Sequence, residues 1–251
     1  MDRATQRAEY LRLSAPLVGR DEIEELLDAI RSGWVTTGPK VQVLQSRLEE
    51  YLGVPHVRCL SSCTAGLQLA LKVAGIEPGD EVLVPTMTFV ACANAVEHLG
   101  ARAVLVDCEP DTGLIDLENA AAKVTANTAA IMPVHLAGRP VDMDAIAAFK
   151  QRHGIAVVED AAHAIGAKWR GRRIGAHGNP TAFSFHATKN MTTFEGGALT
   201  VQDQHTAERV ERLSLHGLSR SAWTRHDTAA PATYEVPEPG YKYRRLLGPP
   251  P

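Results

Sequence analysis

The sequence predicts an α/β protein built on an open, mainly parallel sheet. Two observations lead there. Short apolar runs alternate with stretches of helical periodicity along most of the chain, and strands joined through helices pair in parallel by crossovers. The chain also has the material for a large domain. Its 251 residues are 45% hydrophobic and 22% charged, enough to bury a full core without cross-links.

The elements follow in order. Residues 21–31 (DEIEELLDAIR) put Ile23, Leu26, Leu27 and Ile30 on one helical face, and Gly33 follows as a stop signal. Residues 41–52 repeat the pattern with Val41, Leu44, Leu48 and Tyr51 or Leu52. Thr64 to Ala74 reads as a helix, 81–84 (EVLV) as a short buried strand, 88–98 as a helix and 102–107 (RAVLVD) as a strand. A strand at 129–134, a helix at 142–153 and a strand at 155–159 (IAVVE) come next. KWRGRRIG has the character of a hairpin. Strands at 181–185 (TAFSF) and 196–203 (GGALTVQD) and a helix at 205–215 complete the series.

Composition narrows the function. Net charge is -3, from 26 Lys+Arg against 29 Asp+Glu, so no basic excess points to nucleic acid or to a membrane surface. No apolar run is long enough to span a bilayer. The start, MDRATQRAEYLRL, lacks the apolar stretch and cleavage site of a secretion signal, so a cytoplasmic location is expected. Cys59, Cys63, Cys92 and Cys108 form no CxxC pair, which favours free thiols over a disulfide scaffold or a zinc site.

In an open α/β sheet, ligands sit outside the carboxyl ends of the strands, and five places in the sequence put polar groups there. Ser61-Ser62-Cys63-Thr64 precede a helix, whose free N–H groups bind a phosphate, although an ordinary helix cap uses the same residues. There is no GxxxxGK or GxGxxG to support a nucleotide reading. Phe89 follows the strand at 81–84 and suits stacking on a planar ligand or a place in the core. Glu159, Asp160 and His163 follow the apolar run 155–158, with two small alanines between Asp160 and His163. Ser184, His186 and Lys189 follow the strand TAFSF; a lysine there is a surface cation unless burial makes it a nucleophile. Glu195-Gly196-Gly197 lets backbone come close to whatever Lys189 holds. Taken together these supply what pyridoxal phosphate (PLP) requires: an anion cradle, a flat apolar partner, a carboxylate for the ring nitrogen and a lysine for the aldehyde.

The motifs RSGWVTTGPK, SSCTAGLQLAL, VPTMTFVACANAV, IMPVHLAG, VVEDAAHAIGA, FSFHATKNMTTFEGGALT and LHGLSRSAW stand in this order. Through them the chain resembles the DegT/StrS family of PLP-dependent sugar aminotransferases, from about residue 12 to about residue 243. SFHATKN and GYKY resemble the UDP-4-amino-4-deoxy-L-arabinose aminotransferase branch. The resemblance implies the aspartate aminotransferase-like fold (fold type I) with a large domain and a small C-terminal one. It implies that Lys189 is the Schiff-base lysine, that Asp160 partners the pyridine nitrogen and that His163 contacts the ring hydroxyl. Phe89 would stack on the ring. Cys63 and Thr64 would bind the phosphate mainly through backbone N–H, with Ser184 as a side-chain donor. His186 and Lys242 would lie on the substrate side. The implied substrates are glutamate and a nucleoside-diphosphate keto-sugar. The implied assembly is a homodimer, with His216-Gly217 and Gly240 to Tyr243 reaching toward the partner's site.

On this resemblance the chain divides into an N-terminal segment and helix (1–33), a PLP-binding large domain (34–226) and a proline-rich interface segment with an aberrant tail (227–251). Six of the fifteen prolines fall in that last stretch. The ending RRLLGPPP departs from the family and is expected to mark the loss of the small C-terminal domain, with weak folding and little turnover. Phe194 stands where relatives carry a small residue, and Lys242 where many carry Asn. A catalytically dead remnant that binds the cofactor or partners a full-length subunit is the alternative. A sugar dehydratase of the same family ranks lower, because such enzymes carry histidine in place of the lysine.

Overall fold

The computed structural model describes residues 14–219 and 234–244. Two helices open it. Helix α1, Arg20–Arg31, is started by the Glu22 carboxylate, which accepts from the Gly19 N–H at 2.6 Å. Helix α2, Pro39–Leu52, begins on a proline and ends at Gly53 with φ of 71°, the left-handed turn that stops helices. Then follow β1 (His56–Leu60), α3 (Cys63–Val73), β2 (Glu81–Pro85), α4 (Ala91–Glu97), β3 (Arg102–Val106), α5 (Leu117–Ala122) and β4 (Thr128–Ile131). After a short 3-10 turn come α6 (Met143–His153), β5 (Ala156–Val157), β6 (Glu159–Asp160), the hairpin β7 (Lys168–Trp169) and β8 (Arg172–Arg173), β9 (Thr181–Ser184), β10 (Gly197–Val201) and α7 (Gln204–Leu213). Aspartates cap three of the helices: Asp116 on α5, Asp142 on α6 and Asp203 on α7.

The strands form two ladders, β3-β2-β4-β5 and β6-β9-β10-β1. They meet in residues 156–160. The Val158 N–H donates to Ile131 O, and the Glu159 N–H donates to Pro180 O. The first ladder is parallel throughout, and β6 is parallel to β9. Strand β10 is antiparallel to both its neighbours, β9 and β1. The expected strand at 155–159 is thus split at Val158, and it extends one residue further, to Asp160.

Alternation along the strands builds two cores. Leu83, Ile131, Val157 and Phe183 pack with α2 and α6 on one face. Val82, Val84, Ala130, Val158, Ala182 and Leu199 pack with α3, α4 and α7 on the other. Strands β2, β9 and β10 are buried at every residue, because helices cover both faces.

Three sequence expectations shift. Strand β1 was not expected, because HVRCL interrupts its apolar residues with His56 and Arg58. Helix α5 was not expected either. The helix expected over 88–98 starts only at Ala91. The described part of the proline-rich segment folds back on its own chain. Tyr243 O accepts from the Ser61 N–H at 2.7 Å, the Tyr243 hydroxyl donates to Gln68 Oε1 at 2.6 Å, and Arg209 grips the Glu238 carboxylate with two bonds of 3.1 and 3.0 Å. Among the described residues no helix is long and apolar enough to cross a membrane.

Candidate active site

Strands β1, β2, β6 and β9 end on one edge of the sheet, and antiparallel β10 starts there. Their loops enclose a cavity of about 310 Å³, within the range of small-molecule sites. Cys63, Thr64, Phe89, Asp160, His163, Ser184, His186 and Lys189 all line it. Lys242 does not. It lies exposed on the returning segment, bridged to Leu215.

One end of the cavity is an anion cradle. Ser62 caps α3 by accepting from the Ala65 N–H at 3.1 Å. Cys63 and Thr64 are the first two residues of the helix, so their N–H groups have no intrahelical acceptor, and the helix dipole adds positive potential. Ser184, at the end of β9, is buried beside them. The sheet comes so close to this turn that only glycine fits at 197. A Cβ there would sit 2.5 Å from Cys63 N and nearer still to the Ser62 carbonyl carbon.

Asp160 also lines the cavity, buried at the end of β6. Its Oδ1 accepts from the Ala162 N–H at 2.9 Å and from the Cys63 thiol at 3.8 Å. Its Oδ2 accepts from the Cys92 thiol at 2.9 Å. Burial and the adjacent carboxylate push both thiols well above their ordinary value. Cys92 was not singled out in the sequence, since it stands on α4, remote in sequence from Asp160. Glu159, next to Asp160 in the sequence, has a buried partner that the sequence did not disclose. His135 and Glu159 are fully buried, with His135 Nε2 donating to Glu159 at 3.0 Å while its Nδ1 accepts from the Val141 N–H at 3.2 Å. Asn179 donates to the other Glu159 oxygen at 2.8 Å, and the His135 N–H donates to Asp160 O at 3.0 Å.

The walls carry the remaining groups. Phe89 is 74% exposed, so it is no core residue; its ring is free to cover a planar ligand. His163 Nδ1 accepts from the Ala137 N–H at 3.3 Å, which leaves the proton on Nε2. Partial burial, and then the charge of Lys189, lower the His163 pKa against a smaller opposing effect of Asp160. Lys189 is half-buried, and its N–H donates to His186 O at 2.9 Å. His186 stands at the rim, with Nδ1 2.9 Å from Thr188 Oγ1 and Nε2 3.7 Å from Glu195 Oε1. Phe194 has φ of 65°, a left-handed conformation costly for a bulky residue.

A lysine, a carboxylate and the free N–H groups of a helix start thus line one cavity. The model of the DegT/DnrJ/EryC1/StrS aminotransferase family matches residues 16–245. The chain belongs to that family. It is 46% identical over 237 residues to the spore coat polysaccharide biosynthesis protein SpsC of Bacillus subtilis, covering 94% of this chain and 61% of that protein. Among solved structures of the same fold, the PLP form of Spr1654 from Streptococcus pneumoniae, assigned as a sugar aminotransferase, superposes with a TM-score of 0.84. It is 35% identical, over 94% of this chain and 63% of that one. Helicobacter pylori PseC, an aminotransferase involved in the biosynthesis of pseudoaminic acid, superposes with a TM-score of 0.85 at 26% identity, over 94% of this chain and 62% of that one. The chain therefore spans about three fifths of the length of such family members.

The residues present fit PLP. Gly197 keeps the cradle open at the helix start, and Asp160 is held by one backbone N–H and two weak thiol donors, which leaves its charge available to a cationic ring nitrogen.

Proposed function

We propose that this chain supplies the cofactor-binding part of a PLP-dependent aminotransferase that moves an amino group from glutamate to a nucleoside-diphosphate keto-sugar. The observation that carries the reading is the convergence of Lys189, Asp160 and the α3 N-terminus on one cavity. Bound there, PLP supplies an electron sink for negative charge developing at the reacting carbon of the substrate.

The protein's own groups have distinct tasks. The N–H groups of Cys63 and Thr64 and the Ser184 hydroxyl hold the phosphate. The Asp160 carboxylate pairs with the ring nitrogen and keeps it protonated. Phe89 covers one face of the ring and excludes water from it, and His163 offers its Nε2 proton to the ring hydroxyl. Lys189 would hold the aldehyde carbon through its Nζ, and the same Nζ would carry a proton to and from the reacting carbon. His186 and Lys242 are assigned to the substrate side, His186 from its place on the rim and Lys242 from its motif. The presence of Lys189 in the cavity speaks against a dehydratase. We further propose a homodimer, supported by exposed apolar residues on α1, and a reducing, cytoplasmic location, which suits four cysteines that are all free thiols.

Borohydride reduction of the chain with PLP, followed by peptide mapping, tests the core of this reading. The label is expected on Lys189 and is expected to vanish in Lys189→Ala. A label on another lysine overturns the assignment.

A further inference from the structure

The Asp160 carboxylate is held in an unusual way for a buried charge. Buried carboxylates are ordinarily satisfied by strong donors, such as arginine or several backbone N–H groups. Here a single backbone N–H reaches Oδ1, and a thiol stands on each oxygen. Oδ2 meets Cys92 alone among the described residues, at 2.9 Å. Cys92 is fully buried and in turn lies 3.0 Å from the Thr88 hydroxyl. Its one proton is directed to Asp160, so the Thr88 hydroxyl donates to the sulfur. The result is a chain from the cavity wall inward: Thr88 O–H to Cys92 Sγ, Cys92 S–H to Asp160 Oδ2. Both thiols remain protonated at neutral pH because burial and the carboxylate oppose their ionisation, so each is a donor and not a competing anion.

We propose that Cys92, supported by Thr88, is a positioning residue that fixes the plane of the Asp160 carboxylate while leaving its charge for a cationic ligand. This inference rests on the PLP reading of the cavity. A thiol suits the task because it donates weakly. It orients Oδ2 without neutralising it, whereas a guanidinium in the same place would take up the charge that the ring nitrogen needs. Helix α4 delivers the thiol from the second core, so the orientation of Asp160 depends on the packing of α4 against α3.

The test compares the 251-residue chain with Cys92→Ser and Cys92→Ala. PLP is titrated into each, giving the dissociation constant and the pH at which the bound cofactor's absorption band changes. Serine keeps a donor toward Asp160, so Cys92→Ser is expected to stay within about twofold of the parent with its pH midpoint unmoved. Alanine removes the donor, and Cys92→Ala is expected to bind about tenfold more weakly with a displaced midpoint, the scale of one hydrogen bond to a charged group. Should Cys92→Ala fail to fold, Cys92→Val fills the volume without a donor and carries the same expectation. If the donor-less variant matches the parent, or if Cys92→Ser is as impaired as Cys92→Ala, the positioning role is wrong and the PLP reading stands. If the parent chain shows neither a cofactor band nor a borohydride label, the PLP reading falls and this inference falls with it.

Discussion

Gly197 sets how closely the sheet approaches the anion cradle, and the obstacle to any side chain there is backbone, which cannot swing aside. Gly197→Ala must push the Ser61–Thr64 turn away from β10. A cost of about 1–3 kcal/mol follows from overpacking of this kind, together with a loss of phosphate affinity. Titration with PLP should show binding at least tenfold weaker, and a variant that binds normally would mean the turn is not the cradle. His163 gives a second test at this scale. Its pKa in the folded chain is lowered, so the unfolded chain binds a proton that the folded chain resists. Its contribution is therefore present above the ordinary value near 6.5 and lost as pH falls through the lowered one. Melting temperatures should drop on acidification below about pH 6.5, and His163→Gln should make that drop shallower. Identical acid profiles would show that His163 does not carry the effect.

Among the elements, helix α1 is the least explained by its own chain. Its sequence forms a clear apolar stripe, yet Ala29 is its one buried residue, while Ile23 and Ile30 are 50% and 53% exposed. Helix α2 buries the stripe that its sequence announced, through Val41, Leu44, Leu48 and Leu52. The periodicity of α1 was thus legible, but not its partner, because a stripe says which face wants cover and not what covers it. In a homodimer a second copy covers it. The double variant Ile23→Lys with Ile30→Lys should then shift the chain from dimer to monomer in light scattering and leave its helical content unchanged. A dimer that survives both charges places the interface elsewhere. The returning segment is the opposite case. Gly217 and Gly240 allow backbones to touch, and Tyr243 locks onto Gln68, so its described part is held by its own chain.

Across the whole molecule, what the sequence made legible follows from burial. Strands buried from both faces read as largely apolar runs, so β2, β4, β9 and β10 stood out, and the polar residues beside them marked the site. Strand β1 carries Arg58, whose guanidinium lies near Glu49 and Glu211, so its pattern was broken by ion pairs that only the tertiary fold supplies. Cys92 and His135 were hidden for a related reason. Each meets its site through packing between elements distant in sequence. The resulting cavity draws on the ends of β6 and β9, on the segments that follow β1, β2 and β4 and on the turn before β10, that is, on both ladders of the sheet. A ligand held by all of them opposes their separation, so cofactor binding should stabilise the fold as a unit. At a concentration about 100 times its dissociation constant, PLP adds about 2.7 kcal/mol, and at about 2–4 °C per kcal/mol for a chain of this size the melting temperature should rise by roughly 5–10 °C. Lys189→Ala loses the covalent hold, so at the same PLP concentration its rise should be smaller. Inorganic phosphate, which engages only the cradle, should give a smaller rise that does not depend on Lys189. Equal rises with PLP in the parent and in Lys189→Ala would show that the lysine does not hold the ligand.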